Sequence, residues 1–298
     1  ATVLSLFHSL NPRLCSCVGN MAKAKPNKKI RDMLAAHDNK KEEGFGPIRK
    51  LYFLPRNAKE VLELEVQEGR KNISTRPVGP NLGKEGCKYL AYCHSEVTPD
   101  FWAVPYDSGK VMRFDIEKET VEQVGEEIRE EDQWKYVAAV ASLNWQGNIY
   151  AAPCRAERVL EIDPQTGVAR EVGPRIGKQD QAKYMCIGAL PGNMKIYAIP
   201  YDARYVLEID PLRNGAAREV GPDLGKVQGK YMCCELTADG QIYAPPFNAS
   251  QVLNIDQNGG VSLVGPEFGG PDIAPRKYAC CVQGANRLLY APPLYANR

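Results

Sequence analysis

One segment of this chain is written six times. "KIYAIPYDARYVLEIDP" (195–211) recurs as "NIYAAPCRAERVLEIDP" (148–164) and "QIYAPPFNASQVLNID" (241–256). Weaker copies read "KLYFLPRNAKEVLELE" (50–65) and "DFWAVPYDSGKVMRFD" (100–115), and a broken one, "LLYAPPLYANR", occupies 288–298. The aromatic of the [YW]-x-x-P core falls at Tyr52, Trp102, Tyr150, Tyr197, Tyr243 and Tyr290, in steps of 50, 48, 47, 46 and 47 residues. A fixed period of this length implies a repeat architecture, in which each copy is one supersecondary unit.

Each full unit holds four β-rich runs. In the fourth copy these are "KYMCIGAL" (183–190), "KIYAIP" (195–200), "YVLEID" (205–210) and "AREVGP" (217–222), here strands A to D. The A–B connection carries "QGN", "PGN" or "ADG", the Gly/Asn/Asp chemistry of a tight hairpin. A proline closes strand B, where it stops the ladder. A helical solenoid needs a 3.6-residue apolar period, which the V-L-x-I-D runs lack, and a parallel β-solenoid has much shorter coils. Four short antiparallel strands per unit is the period of a propeller blade. The expected fold is all-β, a β-propeller of four-stranded antiparallel blades with a repeat of about 47 residues. Strand counting predicts five full blades plus an incomplete one at the seam.

The pattern G-x-I-Y-A-x-P-x-[DN]-A-x-x-V-L-x-I-D followed by E-V-G-P-x-L-G resembles kelch-like β-propeller repeats of uncharacterised proteins of unicellular eukaryotes. It is more distantly similar to gluconolactonase and streptogramin-lyase propellers, which also write V-L-x-I-D-P. The resemblance covers roughly 51–298. It implies the fold and leaves function open, because propellers carry many unrelated activities.

Charge separates the repeats from what precedes them. Residues 21–50 hold nine Lys/Arg against four Asp/Glu, whereas 51–298 is net −4. The expected organisation is a leader or upstream sequence at 1–20, a basic, partly disordered arm at 21–50 with two helical turns around Ile30–His37, and the propeller at 51–298. No apolar run reaches the ~18–20 residues of a membrane-spanning helix. The arm could neutralise phosphates, but it has no interleaved aromatics and no recognised binding module, so a nucleic-acid partner is not expected.

Agreement among copies singles out candidate residues. Lys-Tyr opens every strand A: Lys88-Tyr89, Lys135-Tyr136, Lys183-Tyr184, Lys230-Tyr231 and Lys277-Tyr278. Alternating strand direction puts these lysines on the same face as the B–C turns, which carry Asn57, Asp107, Asp202 and Asn248. Two readings follow. The lysines form an electropositive ring for an anionic ligand or acidic partner, or each pairs with a turn Asp or a carbonyl and joins neighbouring blades. The second is favoured, because a residue repeated in every blade is more often structural than a site.

The repeated tyrosines of strands A and B read as inter-blade core. At one register position of strand A, Ala91 and Ala138 alternate with Cys186, Cys233 and Cys280, as small hydrophobes do. No cysteine spacing fits a zinc site. Reduced thiols point to an intracellular, cytoplasmic setting, with organelle targeting by the N-terminal segment as the alternative. The sequons at Asn72 and Asn248 would matter only in a secreted protein. Asp115, Asp163, Asp210 and Asp256 end strand C on the opposite face and read as turn caps.

Catalytic parts are few. His8 and His37 precede the repeats, and His94 and Glu235 sit in non-adjacent copies. No phosphate loop or Ser/His/Asp arrangement appears, and no metal or other cofactor is expected. The sequence therefore points to a non-catalytic binding or scaffold propeller that uses one face for a protein partner or a small anionic ligand. A gluconolactonase-like or lyase-like enzyme is the alternative.

Overall fold

The structure is a computed structural model that describes residues 48–67, 73–83, 86–128, 133–178 and 181–296. The expected leader lies outside these residues. So does the expected arm, except Ile48–Lys50, which open the first strand. The described chain forms β-strands and a single short 3-10 turn.

Six antiparallel sheets follow one another along the chain. Sheet 1 contains β1 (Ile48–Phe53), β2 (Val61–Gln67) and β3 (Ser74–Val78). Sheet 2 contains β4 (Tyr89–His94), β5 (Phe101–Pro105), β6 (Val111–Asp115) and β7 (Thr120–Val124). Sheet 3 contains β8 (Tyr136–Ala141), β9 (Ile149–Pro153), β10 (Val159–Ile162) and β11 (Ala169–Val172). Sheet 4 contains β12 (Tyr184–Leu190), β13 (Lys195–Pro200), β14 (Val206–Asp210) and β15 (Ala216–Val220). Sheet 5 contains β16 (Glu235–Leu236), β17 (Ile242–Ala244), β18 (Val252–Ile255) and β19 (Val261–Val264). Sheet 6 is the pair β20 (Val282–Gln283) and β21 (Leu289–Tyr290). The expectation of five full blades and a partial one thus meets four sheets of four strands, one of three and one of two among the described residues.

Each sheet is one repeat, and strand order within it is chain order. Successive side chains on a strand point to opposite faces, so each middle strand feeds two cores. In β9, Ile149 and Ala151 pack with Trp102 and Val104 of sheet 2, whereas Tyr150 and Ala152 pack with Ile196 and Ala198 of sheet 4. Similar cores join sheets 1 and 2 through Tyr52, Phe114 and Met112, and sheets 4 and 5 through Tyr197, Ile199, Ile242 and Leu253. Burial on both faces explains why strands B and C read as nearly continuous apolar runs. Strand D is the outer edge, and β15 is accordingly mostly exposed.

The A strands of adjacent sheets approach one another, β4 to β8, β8 to β12 and β12 to β16, so they form the inner edge. The tyrosine of every Lys-Tyr pair lies opposite the proline that ends strand B: Tyr89↔Pro105, Tyr136↔Pro153, Tyr184↔Pro200, Tyr231↔Pro246 and Tyr278↔Pro293. The ladder then slips. Register shifts follow Tyr89, Tyr136 and Tyr184, and in sheets 5 and 6 the tyrosine survives only as an isolated bridge. Proline has no N–H to give the ladder, so the pairing loosens where the lysine begins strand A.

The outer strands carry an ionic triad that the sequence reading missed. Glu63, Glu161 and Glu208 of strand C are buried and lie opposite Arg76, Arg170 and Arg218 of strand D. Glu161 accepts from the Tyr150 hydroxyl at 2.7 Å and from Arg170 Nε at 3.0 Å. Glu208 accepts from Tyr197 and from Arg218 Nε. Burial alone raises the Glu208 carboxyl, but the donors Arg218, Lys195 and Tyr197 outweigh it and hold the group below the ordinary range. At the same end, Asp115, Asp163, Asp210 and Asp256 accept from backbone N–H groups two or three residues on, which are the expected turn caps.

Candidate functional site

The five lysines of the Lys-Tyr motif lie at the same end of their sheets, and their backbones form one continuous path between blades. Lys88, Lys135, Lys183, Lys230 and Lys277 donate their N–H to the carbonyls of Arg56, Tyr106, Cys154, Tyr201 and Phe247, one sheet back. Their own carbonyls accept from Tyr106, Cys154, Tyr201, Phe247 and Leu294, in the same sheet. The chain of bonds therefore passes through every B–C turn from sheet 1 to sheet 6. The D–A loops are pinned to this layer. Leu82, Ile128, Ile176, Leu224 and Phe268 donate to B–C turn carbonyls at 2.7 to 2.9 Å.

The lysine side chains are buried, none more than 5% exposed. Each ammonium donates to backbone carbonyls: Lys88 to Gly83 at 3.1 Å, Lys135 to Asp107 at 3.3 Å and Lys183 to Lys178 at 3.0 Å. Lys230 donates to Val227 at 2.6 Å and Asp202 at 3.3 Å, and Lys277 to Ala274 at 2.7 Å and Gly269 at 2.9 Å. The lysines thus sit beneath the D–A loops, with the preceding B–C turn closing over Lys135 and Lys230. Burial lowers Lys183 and Lys230 to about 8, and it lowers Lys88 and Lys277 as well.

The turn residues Asp107, Asp202 and Asn248 bind backbone. They accept from the N–H of Trp134, Gly229 and Arg276, each of which immediately precedes the lysine of the next sheet. All three of those recipients have positive φ, at 60°, 65° and 54°. The side-chain acceptor and the left-handed residue therefore occur together, as one latch between sheets. Asn57 is exposed and makes no such latch among the described residues. Burial raises the Asp202 carboxyl, while the Gly229 N–H, Lys230 and Arg155 pull it back.

Next to the lysines along the chain lies an apolar belt. The residue after each Lys-Tyr is Leu90, Val137, Met185, Met232 or Ala279, and the residue after each strand-B proline from sheet 2 onward is Tyr106, Cys154, Tyr201, Phe247 or Leu294. These residues form two clusters separate from the inter-sheet cores, joined by Tyr201, which belongs to both. Tyr106 meets Trp134 at 5.8 Å and Tyr201 meets Phe247 at 6.4 Å between ring centroids. Leu90, Met185, Tyr201 and Leu294 are only half-buried, so the belt reaches the surface. In the sequence this belt is a column of apolar residues two places after each repeated lysine, a signal that the charge of the lysine masks.

The acid–base candidates do not come together. His94 lies in β4, stacked on Phe101 at 5.9 Å, and burial lowers its pKa. Glu235 lies three sheets away in β16. Among the described residues no group of three His, Cys, Asp or Glu is placed to hold a metal ion. No helix there is long and apolar enough to cross a membrane.

No protein-family model matches the sequence, and no curated protein matches it. Solved structures do. The chain is similar to a streptogramin B lyase at 15% identity, over 83% of this chain and 74% of the other, with a TM-score of 0.57. It is similar to selenomethionine-substituted virginiamycin B lyase from Staphylococcus aureus at 12% identity, over 83% and 88%, with a TM-score of 0.53. It is also similar to the extracellular domain of a putative hybrid two-component system from B. thetaiotaomicron, at 8% identity and a TM-score of 0.53. That match covers 87% of this chain and 33% of the other. At such identities the likeness is one of fold, β-propeller-like and all-β. Lyases and a two-component-system ectodomain share it, so the fold does not choose between catalysis and binding.

Proposed function

We propose that this chain is a non-catalytic β-propeller binding protein that uses its lysine face to hold a protein partner or a small anionic ligand. The observation that carries the reading is the belt: apolar and aromatic side chains reach the surface beside residues whose ammonium groups are buried. An apolar rim beside positive charge suits a ligand with an apolar body and a negative group. In this reading the lysines, with Asp107, Asp202 and Asn248, hold the blades in place and set the potential, while the belt makes the contact. The three-stranded first sheet and the two-stranded last sheet flank the seam of the propeller. Eight free cysteines among the described residues, most of them buried, support a reducing, intracellular setting.

A screen of small apolar anions by thermal shift tests the proposal. A ligand at a hundred times its Kd should stabilise the fold by about 2.7 kcal/mol. Hits should lose that effect in a Met185→Asp variant, which puts a repelling charge on the belt. Hits that stabilise parent and variant equally would move the binding site elsewhere and sink the reading.

A further inference from the structure

We propose that Arg155 is the anchor for the carboxylate of a small amphipathic monoanion whose apolar body lies on the belt. Arg155 breaks the repeat. Its position in the B–C turn is Asn57, Asp107, Asp202 and Asn248 in sheets 1, 2, 4 and 5 and Tyr295 in sheet 6, and three of those five bind backbone. The residue that a latch at Arg155 would reach is Ala182, and Ala182 is not among the residues with positive φ. This turn is therefore free of the latching role and carries a cation where the turns of sheets 1, 2, 4 and 5 carry an Asp or Asn.

The Arg155 guanidinium lies over the Trp134 ring at 4.6 Å. Stacking on indole fixes the plane of the fork and leaves its N–H edge available for an oxyanion. Among the described residues no protein acceptor takes up that edge, and the Nε is buried without a hydrogen-bond partner. The contrast within the chain is sharp. Arg113 also lies over an indole, that of Trp102, but it is paired to Asp100 at 2.9 Å. A buried, unbonded guanidinium N–H is costly to leave unmade. Trp134 is 38% exposed and touches Tyr106, so the arginine sits where the belt meets solvent.

The same surroundings set the charge of the ligand. Asp202 is close enough to Arg155 to feel its charge, and Asp107 caps the Trp134 N–H. One unpaired guanidinium beside the Asp202 carboxylate favours a single negative charge over a dianion. Carboxylate fits the planar fork with two parallel hydrogen bonds. The half-buried Met185 and Tyr201 then offer the adjoining apolar surface.

The inference rests on the lysine face being the binding face, and the test separates the two. The probes are sodium 4-phenylbutyrate and its neutral amide, 4-phenylbutanamide, titrated into the full chain. Tryptophan fluorescence is read in a Trp145→Phe background, which removes the most exposed indole. The acid should bind at least about tenfold more tightly than the amide. Arg155→Asp, which restores the residue type of the neighbouring turns, should erase that preference and leave amide affinity within about twofold. Arg155→Lys should keep part of the preference. An acid preference that survives Arg155→Asp would overturn the proposal. Equal binding of acid and amide to the parent would also overturn it while leaving the binding face intact. No binding of either probe would remove both.

Discussion

Lys183 and Lys230 hold their ammonium groups against backbone carbonyls with no carboxylate in ion-pair contact among the described residues, and burial brings both to about 8. The unfolded chain keeps those protons up to the ordinary lysine range near 10.4. It therefore binds more protons than the folded state between about pH 8 and 10, and each lysine's contribution to stability rises with pH across that window. Removing the side chain also leaves loop carbonyls unbonded. Lys183→Met should thus cost about 0.5–2 kcal/mol at pH 7, and urea melts of parent and variant should diverge further by pH 10. Buried thiols act in the opposite sense, as Cys154 is pushed up to about 12; the Lys183 charge pulls that thiol down, so its removal lets Cys154 rise further and widens the gap in the same direction. A gap that stays constant or narrows with rising pH would contradict this. The Lys-Tyr repeat was legible in sequence, and so was a carbonyl partner as one of two readings. The depth was not, because most of the carbonyls belong to D–A loops whose path no periodicity encodes. The buried Tyr-Glu-Arg triads were present in the letters of "VLEID" and "AREV", yet only the register Glu208↔Arg218 shows that they meet.

At the scale of the element, the glycine of each V-G-P motif, V-G-E in sheet 2, joins one sheet to the next. Gly79, Gly125, Gly173, Gly221 and Gly265 all have positive φ, between 73° and 82°. At Gly125 a Cβ would meet the Ala169 Cβ at 2.5 Å, and at Gly221 it would meet the Val261 Cβ at 2.7 Å, both on strand D of the following sheet. At Gly265 it would meet nothing within 4 Å, because sheet 6 consists of β20 and β21 and offers no strand D. Two costs can therefore be separated. Gly265→Ala should cost only the left-handed backbone, about 1–2 kcal/mol. Gly125→Ala should cost that and a further ~1–3 kcal/mol for overpacking a filled interface. Equal losses in denaturant melts would mean that the outer strands do not pack as described. The four strands per repeat, their order and most of their limits followed from alternation, turn residues and the closing proline. Strand A of sheets 5 and 6 is shorter than its sequence suggests, since the Tyr–Pro bridge and the lysine's inter-sheet bonds replace part of the ladder there.

For the whole molecule, the repeat pointed to successive four-stranded antiparallel sheets packed face to face, and four inter-sheet cores join sheets 1 to 5 in that way. Function was less legible, since agreement among copies draws attention to what holds the blades together. The informative residues are those that depart from it, Arg155 above all, beside a belt whose apolar letters look like ordinary core. The central claim is that ligands bind on the lysine face, and the methionines report on it directly. Met185 and Met232 belong to the belt, Met112 is buried between sheets 1 and 2, and Met194 lies 40% exposed in an A–B turn at the opposite end. With methyl-13C methionine in the full chain, sodium 4-phenylbutyrate should shift the Met185 and Met232 signals and leave Met112 and Met194 in place. Movement of Met194 with Met185 and Met232 unmoved, or no movement at all at saturating probe, would contradict the account.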